Sequence, residues 1–244
     1  AINGATGELI WEFFPTGGSV LPADSGLYNF YGCQVIPDQN GDQIADLIIA
    51  NGGDASAQPG DTNRPPGNLM IISALDGGEL ARAPMPDDAE TYCTPVVAKF
   101  GDDTLRVVYG SGGETLPGSL WRCKLSDVMS EDLSGSERLD SSLTNGYVAP
   151  PSLVDLSGDG IFDVVANNYD DRLVAINGAN SQMIWEKIIP DAESNVNPTI
   201  GYFNTDQVPD IHTTVALGEW ITYYLYIRYT IDGSNGEVID STLY

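Results

Sequence analysis

Two phrases alternate along this chain, and a chain that repeats itself folds as adjoining copies of one small structure. Ile2-Asn-Gly-Ala-Thr-Gly-Glu-Leu-Ile-Trp11 matches Ile176-Asn-Gly-Ala-Asn-Ser-Gln-Met-Ile-Trp185 position for position. Ile231-Asp-Gly-Ser-Asn-Gly236-Glu237 repeats it, and Ala74-Leu-Asp-Gly-Gly78-Glu79 reads as the same phrase with a deletion. Each is an apolar strand, a Gly/Asn/Asp turn and a second strand, the pattern of a β-hairpin. The second phrase runs from Val35 through Asp38-Gln-Asn-Gly-Asp-Gln-Ile-Ala-Asp46 to Ala50, and again from Ser152 through Asp155-Leu-Ser-Gly-Asp-Gly-Ile-Phe-Asp163 to Ala166. A weaker copy spans 199–211 and a degenerate one 96–109. This phrase is strand, acidic turn, strand.

Interleaved, the phrases give strand A, acidic turn, strand B, long loop, strand C, tight turn, strand D. A four-stranded unit of about 40–50 residues is a β-propeller blade. The expected fold is therefore all-β, a propeller in one domain over residues 1–244. Its blades are expected at 1–15 (strands C and D only), 28–87, 90–140, 146–191 and 195–244. Helical periodicity is absent apart from a short turn around residues 126–133, and 124–140 reads as a loop insertion. Four and a half blades close a ring poorly, and open arrays expose strand edges. The missing blades are expected from segments outside this chain or from other copies or chains. The chain begins at Ala1 with neither Met nor signal peptide and reads as a processed product or fragment.

Charge narrows the partners. Asp and Glu number 35 against 10 Lys and Arg, a formal net charge of −25. That surface repels nucleic acid and anionic membrane and attracts divalent cations. No stretch approaches the roughly 20 apolar residues of a membrane helix. Cys33, Cys93 and Cys123 form no CxxC or His-paired pattern, so at least one thiol is unpaired within the chain. Cys33 and Cys93 fall near the starts of adjacent innermost strands, where an inter-blade bridge and two buried thiols both fit. The one sequon-like triplet, Asn197-Pro-Thr199, is blocked by its proline.

The acidic turns have the spacing of a calcium loop. Asp38, Asn40, Asp42 and Asp46 supply oxygens at positions 1, 3, 5 and 9, and the Ile44 carbonyl stands at 7. Calcium takes six to eight hard oxygens at about 2.3–2.6 Å, and alternate residues of a tight loop turn inward to supply them. Without a cation, carboxylates this close repel one another. The second loop reads Asp155, Ser157, Asp159, the Ile161 carbonyl and Asp163, with Ser157 a weaker ligand than Asn. The third offers Asn204, Asp206, the Val208 carbonyl and Asp210, but Tyr202 stands where the first Asp belongs. Two calcium ions are expected, and a third, weaker one. Ordinary acidic β-turns are the alternative.

These loops resemble the FG-GAP (VCBS) repeats of integrin α-subunit propellers and of bacterial secreted proteins, carried by Asp38/Asn40/Asp42/Asp46 and Asp155/Ser157/Asp159/Asp163. The resemblance implies an ion between the two inner strands of a blade. The hairpin phrases at 1–13 and 175–187 resemble the repeat of quinoprotein-type (PQQ-like) propellers. Such an enzyme needs a Trp floor and basic residues for the quinone carboxylates. Trp11, Trp121, Trp185 and Trp220 are available, but Trp11 and Trp185 fall where blades pack, and basic residues are scattered. A polysaccharide lyase or sugar-binding module is the stronger carbohydrate-active alternative; it needs a base and cations against a uronate. The one His, His212, has no evident partner, while Arg64 and Arg172 stand in B–C loops.

In a propeller the A–B and C–D loops share one face. The long B–C loops, 50–69, 110–120 and 167–172, and the D–A connections share the other. Asn51-Gly-Gly-Asp54 and Ser111-Gly-Gly-Glu114 begin successive B–C loops; Tyr31 and Tyr92 begin successive A strands, with Tyr147 and Tyr169 nearby. This rim is expected to take a protein or carbohydrate ligand. The sequence thus reads as a calcium-stabilised adhesion or binding module, or a subunit of a surface assembly, in an extracellular, cell-surface or periplasmic setting, and leans away from an enzyme.

Overall fold

The structure, a computed structural model, describes residues 1–13, 29–52, 58, 60–218 and 222–244. Gly53, Asp54 and Trp220 lie outside the described residues. The strands fall into four units. The first holds β1 (Phe30–Ile36), β2 (Asp46–Asn51), β3 (Asn68–Ile72) and β4 (Glu79–Pro84). The second holds β5 (Val96–Lys99), β6 (Leu105–Gly110), β7 (Gly118–Lys124) and β8 (Glu137–Ser142), with a short helix α1 (Leu125–Met129) between β7 and β8. The third holds β9 (Ser152–Val154), β10 (Asp163–Asn167), β11 (Asp170–Ile176) and β12 (Met183–Glu193). The fourth holds β13 (Thr199–Gly201), β14 (Asp210–Leu217), β15 (Leu225–Ile231) and β16 (Val238–Leu243).

Within each unit neighbouring strands pair antiparallel in chain order. The first two units are separate four-stranded sheets, whereas the third and fourth join into one eight-stranded sheet. The junction is the end of β12, where Ala192 and Glu193 pair with Leu217 and Ala216 of β14 while Glu193 also faces Asp170 of β11.

The B and C strands carry near-continuous apolar runs because both faces of each sheet are covered. Ile48, Leu69 and Ile71 of the first unit pack on Val107, Tyr109 and Trp121 of the second. Val108 and Leu120 pack on Val164, Val174 and Ile176 of the third. Val165, Leu173 and Ala175 pack on Ile211 and Ile231 of the fourth. Side chains alternate across a strand, so successive residues serve successive interfaces. The innermost strands of units one and two are stitched by Gln34, whose side-chain amide donates to the Val97 carbonyl (3.1 Å) and accepts from the Val97 amide (2.7 Å).

The C–D turn recurs four times. Asn3, Ser73, Asn177 and Asp232 each accept, through the main-chain carbonyl, from the amide four residues on. Gly7, Gly77, Ser181 and Gly236 occupy that fourth place with φ between 61° and 78°. Ser73 therefore stands in register with Asp232, and the turn of the first unit has lost no residue, contrary to the deletion read from sequence. Two tryptophans dock on the turn of another segment. Trp11 Nε1 donates to Ala74 O and Trp185 Nε1 to Gly233 O, both at 2.8 Å. A Cβ on Gly77 would come within 2.6 Å of the Trp11 ring, so the docking uses glycine for closeness as well as for its positive φ.

Two further features depart from expectation. The insertion at 124–140 contains α1, whose Leu125 and Val128, with Leu133 beyond it, enter the core between units one and two. Five helical residues are too few to show a 3.6-residue period. All three cysteines are free: Cys33 is exposed, and the buried Cys93 thiol donates to Ala149 O rather than bridging to Cys33.

Trp185→Ala is expected to cost about 3–5 kcal/mol of stability, through the lost ring burial and the orphaned Gly233 carbonyl. Urea denaturation monitored by circular dichroism reads this directly, and an unchanged midpoint would contradict the docking.

Candidate functional site

The A–B turns form because their acidic side chains satisfy their own backbone. In the first loop Asp38 accepts from the amides of Asn40 (3.0 Å), Gly41 (2.7 Å) and Gln43 (2.8 Å). Asn40 Oδ1 accepts from Asp42 N, and Asp42 Oδ1 from Ile44 N. The Gln43 amide, ahead of the other backbone donors, holds the Asp38 carboxyl below its ordinary range. Gln43, Gly160 and Gln207 occupy one position of the three loops with φ of 71°, 83° and 70°. The chain thus curls the same way in each, with its carboxylates inward.

The residue opening strand B differs from the rest. Asp46, Asp163 and Asp210 are fully buried. A buried carboxylate must be hydrogen-bonded or paired. Asp163 is saturated: Oδ2 accepts from Leu156 N and Ser157 N (both 2.8 Å), and Oδ1 from Gly178 N at 2.9 Å. Asp210 repeats the pattern with Phe203 N (2.7 Å), Asn204 N (3.0 Å) and Gly233 N (3.3 Å). These bonds place the A–B and C–D turns at the same end of the third and fourth units.

Asp46 breaks the pattern. Its Oδ2 accepts from Gln39 N at 2.6 Å, but its Oδ1 is buried with no partner. The turn explains the difference. At Gly178 and Gly233 a Cβ would collide with the carbonyl oxygens of Phe162 and Pro209, so only glycine lets that amide reach the carboxylate. The corresponding residue of the first unit is Ala74, identified by the Trp11 bond to its carbonyl. Its methyl group holds the turn away, and one oxygen of Asp46 is left over.

The third loop gains what its sequence lacked. Asp206, Asp210 and Asp232 bring one oxygen each within 4.8 Å of one another, the one such trio of carboxylates, thiols or imidazoles among the described residues. Asp232 comes from the C–D turn, 22 residues beyond Asp210, so no loop-spacing rule could find it. Asn204 Nδ2 lies between Asp210 (3.1 Å) and Asp232 (3.3 Å). Tyr202 is exposed and stands outside the trio. In the second unit Leu105 opens strand B, and ion pairs replace the buried acid: Arg106 with Asp102 (2.7 Å) and Lys99 with Asp103 (2.8 Å).

The remaining candidates are committed elsewhere. Arg64 pairs with Glu90 at 2.6 Å, and Arg172 with Asp140 at 3.0 Å and Glu186 at 3.1 Å. His212 Nδ1 lies 3.2 Å from Thr230 Oγ1, with the Phe203 ring beside it. Trp121 Nε1 donates to Ser111 Oγ within the second unit.

No family and no curated protein matches the chain in sequence. Among solved structures it is similar to the V. cholerae biofilm matrix protein Bap1, with a TM-score of 0.50 and 15% identity. That match covers 96% of this chain and 42% of Bap1, so the chain spans less than half the length of that protein. A second match is BamB from Moraxella catarrhalis, with a TM-score of 0.42, 13% identity, and coverage of 97% and 65%. At these identities the likeness to Bap1 speaks to fold alone. Among the described residues no helix is long and apolar enough to cross a membrane.

Gly178→Ala is expected to destabilise the chain by about 1–3 kcal/mol, because it pushes the turn off Asp163 and strands a buried carboxylate oxygen. Chemical denaturation measures it, and a loss below about 0.3 kcal/mol would show that the contact is incidental.

Proposed function

We propose that this chain is a calcium-stabilised β-propeller module working outside the cytoplasm as an adhesion or binding subunit. The observation that carries calcium is the Asp46 Oδ1 atom, fully buried and without a donor, at the base of a loop already ringed by Asp38, Asn40 and Asp42. A cation would supply the partner that this oxygen lacks, and the Asp38 and Asp42 carboxylates of the same loop would have to close on it. The Asp206–Asp210–Asp232 trio is the next best place, since three carboxylate oxygens within 4.8 Å concentrate negative charge. The Asp155–Asp163 loop ranks last, because backbone amides already fill the role of the ion at Asp163.

Four-stranded antiparallel sheets packed face to face through apolar cores support the propeller reading. The hairpin at residues 1–13 supplies strands C and D of a further blade, with Ile2, Leu9 and Ile10 exposed. Strands from other segments or another chain would cover them. The fold shared with a biofilm matrix protein is compatible with a surface or matrix role. A lyase needs free cations against its uronate, and Arg64 and Arg172 are already paired.

Calcium at about a hundredfold over its Kd adds about 2.7 kcal/mol per site, or about 5–10 °C in melting temperature for a chain of this size. Scanning calorimetry with calcium and with chelator is expected to show that difference. Asp46→Asn is expected to remove most of it. Ala74→Gly is expected to shrink it by giving Asp46 a backbone donor instead. Equal melting temperatures with and without chelator would contradict the calcium reading.

A further inference from the structure

The hairpin at residues 1–13 is docked like the C–D hairpin of a complete unit, yet no strand B lies beside it among the described residues. Trp11 bonds the turn of the first unit as Trp185 bonds that of the fourth. Asn3 and Gly7 close the same turn as Asp232 and Gly236.

Two positions on its free edge stand without the partners that their counterparts have. Ile2 matches Ile72, Ile176 and Ile231, which end strand C and pair with Leu47, Val164 and Ile211 of strand B. Those three isoleucines are at most 4% exposed, whereas Ile2 is 68% exposed. Its main-chain N–H and C=O hold no hydrogen bond among the described residues. Gly4 matches Gly178 and Gly233. At those two a Cβ would lie 1.7 and 1.8 Å from the carbonyl oxygen just ahead of the strand-B aspartate, and the amide donates to Asp163 or Asp210. At Gly4 a Cβ would meet nothing within 4 Å, and the amide has no acceptor among the described residues. Its φ is not in the left-handed region either. Nothing within the hairpin therefore requires glycine at this place, whereas a neighbouring strand that opens with aspartate would need both the space and the N–H.

We propose that this edge takes a two-stranded segment of the A–B type: an apolar strand, an acidic turn, and a strand opening with Asp followed by Leu, Val or Ile. The aspartate accepts from the Gly4 N–H, and the apolar residue after it pairs with Ile2. Strand addition of this kind draws affinity from main-chain hydrogen bonds and specificity from alternate side chains. A second copy of residues 1–244 has no such pair to offer, because each of its A–B pairs already lies beside its own strand C. The inference rests on the reading of the hairpin as half a blade.

A synthetic peptide of residues 152–166 holds a strand A, an acidic turn and a strand B opening with Asp163. Isothermal titration of this peptide into the full chain is expected to show one saturable site per chain. Asp163→Asn in the peptide, or Gly4→Ala in the chain, is expected to weaken binding at least about tenfold. Because nothing lies near Gly4 in the free chain, Gly4→Ala is expected to keep the melting temperature within about 2 °C of the parent. No binding of the peptide, equal binding by either variant, or a dimer in sedimentation that Gly4→Ala disperses would each overturn the proposal. Trp11→Ala separates the proposal from the reading beneath it. A melting temperature unmoved by Trp11→Ala would sink the half-blade reading and the proposal with it. A drop of several degrees without peptide binding would leave that reading and sink the partner alone.

Discussion

A buried carboxylate at the first residue of strand B sets the geometry of three of the four units. Asp46, Asp163 and Asp210 are each shut off from water, where a carboxylate needs several donors or a cation to be tolerated. In the third and fourth units that need pulls two turns together. The A–B turn curls to present its amides, and the C–D turn descends until the amide of Gly178 or Gly233 arrives. Once Gly233 is in place, its carbonyl faces outward and receives Trp185 from the neighbouring unit. The interlock between those two units thus depends on an aspartate and on a glycine with no room for a side chain.

The departures follow from the same constraint. Where Ala74 replaces the glycine, the turn stands off and Asp46 keeps an unmatched oxygen. Where Leu105 replaces the aspartate, the turn is short and held by the Arg106–Asp102 and Lys99–Asp103 pairs on the surface. These pairs are exposed and contribute little individually; the second unit is instead anchored by Trp121, Tyr109 and the apolar side of α1. The same place in the repeat thus holds turns satisfied by their own amides, a turn with one unmatched carboxylate oxygen, and a shorter turn edged by ion pairs.

Much of this was legible in the sequence because it is local. Strand alternation, the Gly/Asn/Asp turns and the acidic spacing at Asp38–Asn40–Asp42 all act within a few residues. The two phrases also placed Trp11 and Trp185 at packing positions, where the structure has them. What was missed depends on residues distant in sequence. Asp232 joins Asp206 and Asp210 only because the C–D turn lies over the A–B turn. The significance of Ala74 appears only beside Gly178 and Gly233 in three dimensions. The merged sheet of units three and four follows from two residues at the end of β12 that pair with β14, which no periodicity reveals.

The two ends of the units therefore differ in kind: one holds its turns on buried carboxylates, the other presents tyrosines and carboxylates. The account is tested most directly at Asp46. Crystals grown in calcium and measured for anomalous scattering are expected to show a peak within about 2.3–2.6 Å of oxygens from Asp38, Asn40, Asp42 and Asp46. A well-ordered first loop with no such peak, at saturating calcium, would contradict it.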